Sequence, residues 1–166
     1  MNVNEIADYF MNHFKKMNSK VDHVIDYRWI NFHFADRLNP KEKLLINDAV
    51  MLLKERGSIT VENRAGMLCL VLTQQGFEEI YPDNKIKIIN KIRYDIMNKF
   101  AINRSQVGDG LDQRWIELTY MMTLNPVEKK YVGEAVKSLH DDGLVVIQMS
   151  AIPVLLLTQK GFEEIY

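Results

Sequence analysis

Leu72-Thr73-Gln74-Gln75-Gly76-Phe77-Glu78-Glu79-Ile80-Tyr81 recurs almost unchanged as Leu157-Thr158-Gln159-Lys160-Gly161-Phe162-Glu163-Glu164-Ile165-Tyr166. Upstream, Arg28-Trp29-Ile30 returns as Arg114-Trp115-Ile116, and Leu38-Asn39-Pro40 with Glu42-Lys43 returns as Leu124-Asn125-Pro126 with Glu128-Lys129. The offset is 86 from Asn4/Asn90 to Gly57/Gly143 and 85 beyond, because the second copy lacks one residue in the loop after Glu62. Solenoid repeats run ~20–50 residues, so a period this long is that of a small domain. The chain reads as two homologous domains, 1–82 and 83–166. Pro82-Asp83-Asn84 joins them without a Gly/Ser stretch, which predicts domains in close contact rather than on a flexible tether.

The 166 residues are 47% apolar and 26% charged with a net charge of −1, a composition that excludes disorder, collagen-like sequence and a disulfide-stapled mini-protein. Neither half hides a basic domain: ten cations face eleven carboxylates in 1–82, and eleven face eleven in 83–166. The broad positive field that attracts nucleic acid is therefore missing. The single Cys69 lies in the apolar run Met67-Leu68-Cys69-Leu70-Val71-Leu72 and reads as a buried, inert thiol of a reducing compartment. No apolar run approaches the ~18 residues of a membrane span, and the start of the chain lacks signal-peptide character, so a cytoplasmic protein without membrane contact is expected.

Apolar residues at Ile6, Phe10, Phe14 and Met17, and at Ile89, Ile92, Ile96 and Phe100, are three and four apart and predict an amphipathic first helix in each copy. In Arg28–Phe34, Ile30, Phe32 and Phe34 alternate with Asn31 and His33, and Ile116, Leu118 and Tyr120 alternate likewise. Period two with aromatic enrichment predicts a strand, with an aromatic-rich helix as the alternative. Asn39-Pro40-Lys41-Glu42 and Asn125-Pro126-Val127-Glu128 are helix starts: Asn at the N-cap, Pro at N1 and Glu at N3. Leu45, Ile46, Ala49, Val50 and Leu53 supply the buried face, and Gly57 and Gly143 stop the two helices at C′. Ser58–Glu62 and Leu68–Leu72, joined by Asn63-Arg64-Ala65-Gly66, form a hairpin. The second hairpin runs Leu144–Gln148 and Val154–Leu157 around Met149-Ser150-Ala151. A short helix from Thr73 or Thr158 closes each half, giving the order helix, strand, helix, hairpin, helix.

These segments resemble the back half of a winged helix domain. The resemblance rests on a capped helix ending in Leu-x-x-x-Gly (Leu53–Gly57, Leu139–Gly143), a hairpin whose second strand ends in Leu-Thr, and the Gly that follows (Leu72-Thr73-Gln74-Gln75-Gly76, Leu157-Thr158-Gln159-Lys160-Gly161). It covers half of each repeat and implies an α+β fold of two tandem winged-helix-like domains. Members of that superfamily are most often bacterial transcription regulators, with the capped helix as recognition helix and the hairpin as wing. A helix-turn-helix also requires a short helix just before the recognition helix, where the alternation predicts a strand.

On that reading, Lys43, Lys54 and Arg64 of the first copy and Lys129, Lys130 and Lys137 of the second would grip phosphates, with Asn47 presented to a base edge. The bland alternative is a solvated face of local ion pairs. Gly133 replaces Asn47 inside a helix, where Gly costs ~1 kcal/mol relative to Ala, and so points to close approach by another body. Met149, Ile152 and Pro153 put apolar groups where a DNA-reading wing carries Arg or Lys, and with Gly133 form a candidate protein-contact site. Asp26-x-Arg28-Trp29 and Asp112-x-Arg114-Trp115 read as structural, with Arg on the indole or paired with Glu78 or Glu79. His13, His23, His33 and His140 lack metal-ligand spacing, and no catalytic set, metal or cofactor is expected. The expected role is non-enzymatic: a DNA-binding or transcription-regulatory protein acting on duplex DNA. The alternative is an interaction scaffold bound to a protein partner or to itself.

Overall fold

A computed structural model describes residues 1–149 and 152–166; the predicted loop positions Ser150 and Ala151 lie outside the described residues. The chain has mixed helix and sheet and divides into two compact units, Met1–Pro82 and Asp83–Tyr166, each with a three-stranded antiparallel sheet. Among the described residues no helix is long and apolar enough to cross a membrane.

The first unit opens with α1 (Val3–Lys16), whose Asn2 and Glu5 form a capping box. Strand β1 (Val24–Asp26) leads into α2 (Tyr27–Trp29), which runs without a break into a π-helical turn, Ile30–Phe34, and a 3-10 turn, Ala35–Arg37. Then come α3 (Pro40–Leu44) and α4 (Ile46–Glu55), the hairpin β2 (Ile59–Arg64) and β3 (Met67–Leu72), and α5 (Gln74–Ile80). The second unit repeats this order as α6 (Lys85–Ile102), β4 (Gly110–Asp112), α7 (Gln113–Trp115), a π-helical turn Ile116–Tyr120, α8 (Met121–Thr123), α9 (Pro126–Lys130), α10 (Val132–Asp141), β5 (Val145–Gln148), β6 (Val154–Leu157) and α11 (Gln159–Ile165). Strand β3 is central, between β1 and β2, as β6 is between β4 and β5.

The predicted strand over 28–34 is helical, and so is its counterpart over 114–120. The alternation misled because only its outer members face inward. Ile30 and Phe34 are buried, whereas Phe32 is 69% exposed; Ile116 and Tyr120 are buried, whereas Leu118 is 72% exposed. Four-residue spacing, not two, is the true period. Asp26 starts the helix by accepting the Arg28 N–H at 2.7 Å, and Asp112 accepts that of Arg114 at 2.8 Å. At the far end of the π turn the Ala35 N–H reaches back five residues to the Ile30 carbonyl, and Met121 does the same to Ile116. The first strand of each unit is instead the three residues just before this helix, and each unit is therefore helix, strand, helix, bent helix, hairpin, helix.

Both capping boxes form as read, at Asn39/Glu42 and Asn125/Glu128, but each capped helix is broken after its first turn, at Leu45 and Tyr131. Gly57 (φ +72°) and Gly143 (φ +71°) are the left-handed stops. Around them Gly57 N–H donates to Lys54 and Ser58 N–H to Leu53, the paired bonds of a Schellman cap. Strand β2 extends through Asn63 and Arg64, leaving Ala65 and Gly66, both at positive φ, as a two-residue turn.

Helix α5 packs against the start of β2. The Thr73 hydroxyl accepts the Gly76 N–H at 3.0 Å and donates to the carbonyls of Gly57 and Ser58, at 2.6 and 3.0 Å. A Cβ on Gly76 would lie 2.0 Å from the Ser58 carbonyl oxygen, and one on Gly161 would lie 2.1 Å from that of Leu144. Closing helix and strand start thus touch backbone to backbone, which explains the glycine in both copies.

In the first core, Phe10 and Phe34 meet edge to face, Tyr9 stacks on Phe34, and His13 stacks on Trp29 at a centroid distance of 3.8 Å. The second core places Tyr120 at the Phe34 position; its hydroxyl donates to Asp95, which stands where Tyr9 stood, at 2.7 Å. Burial, reinforced by this carboxylate, drives the Tyr120 phenol far above its ordinary pKa. Cys69 is buried in β3.

Two outcomes follow for stability. Gly76→Ala should destabilise the first unit by about 3 kcal/mol, the upper end of overpacking costs because the obstacle is backbone; the urea midpoint reads it. Burial, then Lys16, holds the His13 pKa below 6.5, so the unfolded chain takes up this proton more readily. The stability from neutral His13 is complete above pH 6.5 and is lost as pH falls through the folded value. His13→Phe should flatten that part of the acid limb, monitored by Trp29 emission in a Trp115→Phe background.

Candidate functional site

The capped helix of the second unit carries more free positive charge than its composition suggests, because α6 pairs with three of its four carboxylates, all but Asp141. Lys85 pairs with Glu134 at 2.7 Å, Lys91 with Glu128 at 2.7 Å and Arg93 with Asp142 at 2.6 Å. Lys129, Lys130 and Lys137 make no ion pair among the described residues; Lys130 and Lys137 are exposed and Lys129 half-buried. Gly133 is exposed between them, and a Cβ built there would meet no atom within 4 Å. The outer face of α10 is therefore low in relief and flanked by lysines.

The first unit differs at the same positions. Lys43, Asn47 and Lys54 are exposed, but Leu44 and Met51, the counterparts of Lys130 and Lys137, are 77% and 58% exposed. Its charged face is thus interrupted by apolar side chains. Arg64 is not a tip residue: it lies in β2, held by Glu62 at 3.0 Å and by the Asp22 carbonyl at 3.2 Å.

Two of the four candidate contact residues of the second unit come together. Gly133 and Pro153 line one hollow of about 270 Å³. Its floor is Ile116, Val132 and Leu155, all buried core residues. Val136 and Ile147 form the walls with Pro153, and Gln113, Glu117 and Lys137 surround the mouth with Gly133. Gln113 donates its side-chain amide to the Glu117 carboxylate, orienting it at the rim. Met149 does not line the hollow and is 81% exposed; Ile152 is half-buried.

Gln113, Glu117 and Ile116 escaped the sequence reading because they lie in the segment read as a strand. Asp112, a capping residue directly before them, was the signal that could have placed them on a helix. In the Asp-x-Arg-Trp repeats the partners differ from those expected: Arg28 pairs with its own cap Asp26 at 2.8 Å, and the cation over Trp115 is Lys99 at 5.6 Å. Glu79 accepts from Ser58 Oγ at 2.6 Å instead.

The chain matches no protein-family profile, no curated protein and no solved structure. Gly133→Ala should raise the stability of the second unit by up to about 1 kcal/mol, since nothing within the described chain crowds that position. A shift of the chemical midpoint to higher urea is the measurement, and a fall would show that the glycine serves the fold.

Proposed function

We propose that the chain is a non-enzymatic DNA-binding protein of the transcription-regulatory class, built from two tandem winged-helix-like units. The observation that carries this reading is the helical segment directly before each capped helix: 27–37 before α3 and α4, and 113–123 before α9 and α10. A helix pair joined by a short turn and followed by a two-stranded hairpin is the arrangement in which the second helix enters the major groove. Lys129, Lys130 and Lys137, left unpaired while neighbouring acids are neutralised from α6, are the phosphate contacts of the second unit. Gly133 lets the helix backbone approach the duplex. Lys43, Asn47 and Lys54 take the corresponding part in the first unit, with Arg64 secondary because Glu62 already holds it.

Binding to a short duplex, followed by fluorescence anisotropy, should weaken linearly in log salt. Replacing Lys129, Lys130 and Lys137 together by Ala should reduce that slope by about 3, roughly one per phosphate contact. Absence of binding at low salt, or a slope unchanged by the triple substitution, would overturn the assignment.

A second reading, a protein-interaction scaffold, draws its support from the exposed Leu44 and Met51 on the first unit and Met149 on the second. Under it, Met51→Gln and Met149→Gln, which add no charge to the capped helix, would abolish self-association in sedimentation equilibrium and leave any DNA affinity intact.

A further inference from the structure

The two copies control for each other at the hollow beside Gly133. Strand register aligns them: Leu70 pairs with Ile25 in one sheet and Leu155 with Leu111 in the other. At four lining positions the second copy has the smaller side chain, Gln113 for Tyr27, Val132 for Ile46, Gly133 for Asn47 and Pro153 for Leu68, against larger ones at Glu117 for Asn31 and Ile147 for Val61. The opening is thus made by substitutions grouped on one spot of one unit.

Its chemistry is two-part. The floor is dry hydrocarbon from the core, while the mouth holds one carboxylate, Glu117, and one ammonium, Lys137, the latter without an ion-pair partner among the described residues. The volume, about 270 Å³, is somewhat under twice the ~150 Å³ of an apolar cavity that accommodates benzene. One ring or branched chain fits on the floor with a small polar head at the rim. A rim carrying both signs of charge matches a head that also carries both.

We propose that this hollow is a binding site for a free α-amino acid with an aromatic or large aliphatic side chain. The side chain rests on Ile116, Val132 and Leu155, the ammonium faces Glu117 and the carboxylate faces Lys137. The hollow shares Gly133 and Lys137 with the face proposed above to meet the duplex; the titration is made without DNA, so its failure and the failure of the DNA reading are separate outcomes.

Isothermal titration of the full chain with L-phenylalanine tests it. Saturable binding with a Kd of about 1 mM or tighter is expected for a ligand of this size. Phenethylamine, lacking the carboxylate, and 3-phenylpropionate, lacking the ammonium, should each bind at least about fivefold more weakly, one lost charge contact apiece. Gly133→Leu places a side chain at the mouth from an exposed helical position and should abolish binding without lowering Tm; Glu117→Gln should weaken L-phenylalanine but not 3-phenylpropionate. No saturation by about 10 mM, equal affinity for all three compounds, or undiminished binding to a folded Gly133→Leu chain would each overturn the site. So would a concentration-dependent dimer that Gly133→Leu dissolves, because the occupant would then be a second copy of the chain.

Discussion

Each unit is organised around a contact in which a carbonyl oxygen of one element lies where another element can offer no side chain. The chain leaves the capped helix through a left-handed glycine, and the next carbonyls, of Gly57 and Ser58 or Gly143 and Leu144, point at the closing helix. There the Thr hydroxyl satisfies them while accepting the N–H of the glycine three residues on. Three backbone groups, two carbonyls just past the capped helix and one N–H of the closing helix, are thereby satisfied at one junction. The junction also sets where the hairpin begins, and hence the register by which β3 or β6 carries its apolar face over the core.

Features that depend on a few neighbouring residues were legible in the sequence. Asn-Pro-x-Glu starts, Gly stops and the hairpins all appear close to where local chemistry put them, because caps and turns are decided within one helical turn. The helix over 28–34 was not legible from apolar spacing, since Phe32 and Leu118 are large, apolar and outside. Periodicity assumes that apolar means inward, and at these two positions the assumption fails, so the repeat carries the same misleading alternation twice. Only the polar Asp before the segment argued otherwise.

The candidate site was legible as anomalies rather than as geometry. A glycine inside a helix and a proline in a hairpin were visible as departures from the first copy. Their meeting across one hollow depends on the path of 113–120, whose helical turns the alternation conceals. The pairing of α6 lysines and arginine with acids of the capped helix was equally invisible, because residues 37 to 49 positions apart in sequence are neighbours only after folding. That pairing changes the meaning of neutrality: a balanced composition coexists with a helix face whose cations are unmatched.

The buried Cys69 gives the molecule an asymmetry that its repeated architecture would otherwise hide. It is the chain's only thiol, and it lies in the central strand of the first unit, bracketed by both neighbouring strands. A thiol-modifying reagent can reach it only when that sheet opens, so the rate of alkylation clocks the opening of one half of the molecule and is silent about the other.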